Sequence, residues 1–154
     1  MDAHELVTPT TTNDWAIYHA IRREVLFEAR GQFGIYNENH PDERAPTTHP
    51  KLLNYGGEPV GVVRIDLDGD VAALRRVAIR PDAQRRGHGR VLLELAQRFA
   101  RGAGCTRLVS FVAPDAVGFY QSFGFIIDAA GTVGPSVRES VFMTKELAVY
   151  PAAG

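Results

Sequence analysis

Between Ile79 and Val91 the chain runs Arg80-Pro81-Asp82-Ala83-Gln84-Arg85-Arg86-Gly87-His88-Gly89-Arg90, and its residue types suit the capture of an anion. Gly87 and Gly89 carry no Cβ, so the backbone there can approach a ligand closely. Downstream, Leu92, Leu95, Ala96 and Phe99 recur at the spacing of one helix face. Gln84 to Gly89 therefore lies at a helix start, where free amides and the positive end of the helix dipole favour negative charge, and a phosphate is the natural occupant. Arg85, Arg86 and Arg90 flank the loop and suit a polyanion. Two familiar phosphate motifs are excluded. Leu92 stands where the third glycine of G-x-G-x-x-G belongs, and no Lys-Ser or Lys-Thr follows the glycines as a P-loop requires.

About thirty residues further on comes a second constellation, Ala116-Val117-Gly118-Phe119-Tyr120-Gln121-Ser122-Phe123-Gly124-Phe125. The order Gln-x-x-Gly-x-Gly after a strand and opening a helix resembles motif A of the GNAT superfamily, the acyl-CoA-dependent N-acetyltransferases. Ala116, Phe119, Tyr120, Gly124 and Phe125 fall in step with its motif B. The asparagine usual at the head of motif B is Ala113 in this chain. The resemblance covers roughly residues 58 to 128 clearly and the first helix loosely. It implies a GNAT fold: a mixed α/β (α+β) sheet of about six to seven strands, flanked by about four helices and splayed at its central parallel pair. It implies acetyl-CoA as co-substrate, with Gln84, Arg85, Arg86, Gly87, His88, Gly89 and Arg90 around the pyrophosphate. Backbone groups of Val77, Ala78 and Ile79 would meet the pantetheine arm and acetyl carbonyl. Tyr120 would sit near the thioester sulfur, where a phenol with an ordinary pKa of roughly 10 can protonate the departing thiolate and hydrogen-bond the sulfur as charge develops.

The elements that must position these groups read as follows. Leu6 to Thr8 suits a short strand, and Thr12, Asn13 or Asp14 can cap a helix to about Ala29 with Ile17, Ala20, Ile21 and Val25 on one face. Residues 31 to 50, rich in Gly, Asn and Pro, form a long irregular connection, with or without a short helix. A meander follows: Lys51 to Tyr55, a Gly56-Gly57 turn, Val60 to Leu67, a turn at Asp68-Gly69-Asp70, and Val71 to Ile79 as the central strand. Leu74 and Val77 are three apart. One extra residue near Arg75-Arg76 would put Leu74, Val77 and Ile79 on one face. After the motif A helix, Arg107 to Ala113 suits a buried parallel strand reached by a right-handed crossover. A short helix from Pro114 to Ser122 leads to strands at Phe125 to Asp128 and Arg138 to Leu147.

Composition narrows the classes. Residues 1–154 read as a single domain, 45% hydrophobic and 23% charged, as in ordinary soluble proteins. Asp2, His4 and Glu5 do not open a secretion signal, no apolar run approaches a membrane span, and Cys105 has no partner for an internal disulfide. The expected setting is cytoplasmic, without membrane or nucleic-acid partners, as a monomer or homodimer. His40, Asp42, Glu43 and His49 match no metal-site spacing, so no metal is expected. Candidate bases for an amine nucleophile are Glu24, Glu28, Asp66, Asp68 and His40, and the sequence does not choose among them. The leading expectation is an N-acetyltransferase acting on a small-molecule or peptide amine by direct attack in a ternary complex. A non-catalytic acyl-CoA-binding module of the same fold is the alternative, supported by Ala113. A nucleic-acid binder would need aromatics interleaved with the arginines of residues 75–90, and none is there.

Overall fold

Thr11 opens the first helix with a reciprocal cap. Its hydroxyl accepts from the Asp14 amide at 3.0 Å, and the Asp14 carboxylate accepts from the Thr11 amide at 3.1 Å. These features come from a computed structural model of the chain, which describes residues 3–28, 31, 33–34, 36–38, 45–128 and 140–147. Helix α1 spans Thr12–Arg22 and runs on as a π-helical segment, Arg23–Phe27. The cap is thus one residue earlier than expected, and the buried face is rotated. Tyr18, His19, Ile21, Arg22 and Leu26 are buried, whereas Ala20 is exposed. The bulky residues at 18, 21 and 22 set the stripe, because a methyl contributes little to burial. The wider π turn then favours Leu26 over Val25.

The strands are β1 (His4–Val7), β2 (Thr48–Tyr55), β3 (Glu58–Asp68), β4 (Val71–Leu74), β5 (Ala78–Ile79), β6 (Arg107–Val112), β7 (Ile126–Ile127) and β8 (Val141–Glu146). Their order across the sheet is β1-β2-β3-β4-β6-β8-β7, with β5 also paired to β3. Counting β4 and β5 as two halves of one interrupted strand gives seven among the described residues. Strand β2 begins at Thr48 rather than Lys51. Pro50 is tolerated there because β1 pairs only with Leu52 to Tyr55, leaving that end of β2 at an edge. The expected irregular connection at residues 31 to 50 is described only in part. Among the described residues the helices are α1, α2 (His88–Gly102) and α3 (Val117–Ser122).

Each face of the sheet carries its own core. Val63, Ile65, Leu74, Leu108 and Met143 pack with Leu92, Leu93 and Ala96 of α2 and Tyr120 of α3. On the other face Leu52, Val62 and Ala78 pack with Tyr18 and Ile21 of α1 and with Leu26. Within β3, Val62 belongs to the α1-side cluster and Val63 and Ile65 to the α2-side cluster, as in a strand covered on both sides, and Val60 joins the α2 side across the register shift opposite Leu53 and Asn54. None of the described helices is long and apolar enough to cross a membrane.

Candidate active site

The centre of the site is the interruption between β4 and β5. Leu74 pairs with Ile65 and Ala78 pairs with Val62. Four steps along this strand therefore oppose three along β3, which is one extra residue. Leu74 joins the α2-side core with Val77 and Ile79 packed against it, while Ala78 faces α1. The bulge expected near Arg75-Arg76 is present and has the expected effect on facing. Gly61 permits the return of β5 to β3: a Cβ there would lie 2.6 Å from Ile79 Cδ1 and 2.9 Å from the Ala78 oxygen.

The bulge opens a wedge. Strands β4 and β6 are parallel over Val71↔Arg107, Ala72↔Leu108 and Ala73↔Val109. Beyond that the ladder stops, and no described strand pairs with the β6-facing edge of β5. In place of a ladder bond, the Ser110 hydroxyl donates to the Leu74 carbonyl at 3.1 Å. A cavity of about 50 Å³ lies at this point, lined in part by Leu74, Arg75, Arg76, Ser110 and Phe111. From the α1 side Arg22, itself buried, donates through Nη1 to the Arg75 carbonyl at 2.8 Å.

Tyr120 reaches the wedge from α3. It is 6% exposed and meets the rings of Phe119 and Phe125 edge-on. Burial pushes its phenol up to about 12, while the Ser110 hydroxyl and the charge of Arg76 pull less strongly the other way. At neutral pH the group is a protonated donor.

The glycine loop follows β5 and leads into α2. Pro81–Ala83 forms a 3₁₀ turn. Arg85 (φ 63°) and Gly87 (φ 84°) are both left-handed. Left-handed residues in such loops turn successive amides toward one concave side. No side chain caps α2 at Gly87, so the first-turn amides are left for a ligand. Gly89 is held against Phe119, whose Cζ would lie 3.2 Å from an added Cβ.

The residues expected around the loop divide into groups. Arg85, Arg86 and Arg90 are exposed beside it, Arg90 with Glu94 at 4.0 Å. Gln84 turns its amide back onto the Ile79 carbonyl at 3.0 Å, so its side chain shapes the loop. The His88 ring is buried and shares a 2.8 Å hydrogen bond with His4. Burial first, then the charges of His4 and Arg86, hold His88 below the ordinary histidine range. Its backbone lies in the first turn of α2, but its ring packs toward Tyr55.

The candidate bases separate too. Asp66 is gripped by Arg64 and Arg75. Glu24 and Asp68 are exposed and Glu28 is half-buried. His40, like Asp42 and Glu43, lies outside the described residues. No group of three or more His, Cys, Asp or Glu that could hold a metal occurs among the described residues. Cys105 is buried, which pushes its thiol up. Ala113 precedes the 3₁₀ turn Pro114–Ala116 and offers no polar side chain to the wedge. Ser110 was missed in the sequence, although a lone hydroxyl within Leu108-Val109-Ser110-Phe111-Val112 is a usable signal. Arg22 carries none, since Arg23 beside it looks identical.

Residues 4–125 match the acetyltransferase (GNAT) family. The chain belongs to that family. An uncharacterised N-acetyltransferase of Porphyra purpurea is 36% identical over 76 residues, which are 49% of this chain and 44% of the relative. The aligned stretch is thus less than half of that relative's own length. The ribosomal-protein-S18-alanine N-acetyltransferase of Escherichia coli shares the fold with a TM-score of 0.74 at 20% identity, covering 97% of each chain. The PaiA N-acetyltransferase of Thermoplasma acidophilum, solved in complex with coenzyme A, has a TM-score of 0.70 at 15% identity, covering 93% of this chain and 98% of that one.

Proposed function

We propose that this GNAT chain is an acetyl-CoA-dependent N-acetyltransferase that moves the acetyl group to a primary amine held on the α1 side of the wedge. The observation that carries the reading is the one-residue bulge at Arg75–Val77 with the uncapped α2 N-terminus beside it. A phosphate suits the loop amides, and a thin amide-bearing arm suits the unpaired edge of β5, whose backbone can bond it as another strand would. The residues present therefore suit coenzyme A in their chemistry. When bound, acetyl-CoA supplies the activated acyl group. Arg85, Arg86 and Arg90 add charge near the phosphates, and loop amides supply directional bonds.

The chemistry left to the protein is modest. Holding amine and thioester together can supply several kcal/mol, and a backbone N–H at the bulge can polarise the acyl carbonyl. Tyr120 acts as a hydrogen-bond donor to the leaving sulfur. With the phenol at about 12 and a thiol near 8.5, complete proton transfer would be uphill by about 5 kcal/mol. Donation without transfer is the better description. None of the described carboxylates is placed as a dedicated base, so the acceptor must reach the wedge as the free amine or lose its proton through water. The direct test is thiol release from acetyl-CoA across a panel of primary amines and peptides. Release that depends on one or more amines supports the reading. Tight acetyl-CoA binding with no amine-dependent release would favour the non-catalytic binding module, to which Ala113 in the asparagine position lends its support.

A further inference from the structure

The α1 face of the sheet carries a second built feature beside the bulge. Arg64, with a side chain only 9% exposed, donates to both oxygens of Asp66, from Nε and Nη2, each at 3.0 Å. Asp66 Oδ2 lies 3.5 Å from Nε of Arg75. The Arg75 guanidinium then lies over Phe111, 5.8 Å from the ring centroid, and Phe111 packs on Phe142 across the β6–β8 pair at 5.0 Å. Meanwhile Arg22 fixes the Arg75 carbonyl. The Arg75 side chain is 47% exposed, and Asp66 is its one ion-pair partner among the described residues.

This is more construction than a surface ion pair needs, since such pairs contribute little. Arg64 alone already satisfies the Asp66 carboxylate in bidentate fashion, so Arg75 is surplus to compensating it. What the arrangement does instead is steady one guanidinium between the Asp66 carboxylate, 3.5 Å from its Nε, and the Phe111 ring, with about half of the side chain open to solvent. A guanidinium fork is the geometry that matches a carboxylate. Helix α1 covers β3 and β5, so among the described residues the fork, Phe111 and Phe142 stand beside it on the same face.

We propose that Arg75 binds a carboxylate of the acceptor, and that the substrates are primary amines that also bear a carboxylate. This rests on the acetyltransferase reading. Two sources share the chemistry: a free amino acid, or a peptide whose amino-terminal segment holds an acidic side chain. The test measures kcat and KM for thiol release with L-amino acids, each paired with its decarboxylated amine, and with Ala-Glu-Ala and Ala-Gln-Ala peptides as the second arm. Wild-type protein is compared with Arg75→Gln and Arg75→Lys, and acetyl-CoA affinity is measured calorimetrically on all three.

In at least one pair the carboxylate-bearing member is favoured about tenfold or more in kcat/KM. Arg75→Gln removes that preference through KM, a loss of about 10- to 100-fold for a charge-assisted hydrogen-bond pair, while acetyl-CoA affinity stays put. Arg75→Lys recovers part of it, keeping the charge and losing the fork. Preference confined to the amino-acid pairs or to the peptide pair identifies the source. The proposal alone is overturned if acetyl-CoA binds but no carboxylate-bearing member is preferred, whether other amines are acetylated or none is. It is overturned likewise if the preference survives Arg75→Gln. Failure of wild-type protein to bind acetyl-CoA removes the acetyltransferase reading and this proposal together.

Discussion

Replacing Tyr120 with Phe keeps the ring and its edge contacts with Phe119 and Phe125 and removes only the hydroxyl. The size of the effect follows from the phenol's environment. A general acid matched to its task contributes roughly 10²–10⁴-fold. A phenol raised to about 12 by burial is a poor match for a thiolate with an ordinary pKa of roughly 8.5. What remains is a hydrogen bond to developing charge, worth about 1.5–3 kcal/mol, so kcat should fall by about 10- to 150-fold. Acetyl-CoA affinity should change little. The same shift predicts the pH behaviour. The folded protein keeps the proton from pH 10 to pH 12 while the unfolded chain releases it. Stability is therefore fully present below pH 10 and declines by about 3 kcal/mol as pH rises through 12, and the variant escapes that part of the decline. The assay is saturating thiol release from pH 7 to 10.5, with alkaline melting curves on both proteins. Unchanged kcat in folded variant would remove Tyr120 from the chemistry. A wild-type alkaline limb near pH 9 that vanishes in the variant would show that the phenol titrates far lower than its burial implies.

Three further outcomes are expected. Gly87→Glu places a carboxylate in the anion loop at a position with open space but φ 84°, so calorimetry should find acetyl-CoA binding lost at a cost in folding stability of about 1 kcal/mol. Arg22→Met leaves the Arg75 carbonyl without its donor and should lower kcat several-fold while the protein stays folded by circular dichroism, because the bulge loses its fixing point. His88, held below the ordinary histidine range, gives stability that is complete above about pH 6.5 and is lost as pH falls, since the unfolded chain takes up the proton first. His88→Gln should flatten the decline in melting temperature between pH 7 and 5.

Much of this arrangement is legible in the residue order because it is written in local terms. Glycines at a helix start, a turn at Asp68-Gly69-Asp70, and two valines and an isoleucine interrupted by Arg75-Arg76 each carry a physical instruction that neighbours cannot easily reverse. The bulge in particular follows from Leu74 and Val77 being three apart while both must reach the same core. Side-chain direction at long range is another matter. Arg22 meets Arg75 across fifty-three positions, and Arg64, Asp66 and Arg75 converge only when β3 and the interrupted strand lie side by side. His88 reads as a loop residue, yet its ring is buried against His4 and the half-exposed Tyr55. The burial of Leu26 rather than Val25 escaped for a related reason: a π turn changes helical phase, and no residue between Arg23 and Phe27 announces it.

Calorimetric titration of acetyl-CoA into the wild-type chain tests the central claim most directly, that the glycine loop and the wedge between β5 and β6 form an acetyl-CoA site. One site per chain with a submillimolar Kd is expected, and the affinity should weaken as salt rises because much of the attraction is to phosphates. A flat titration on folded protein, with a melting temperature unmoved by millimolar acetyl-CoA, would contradict it.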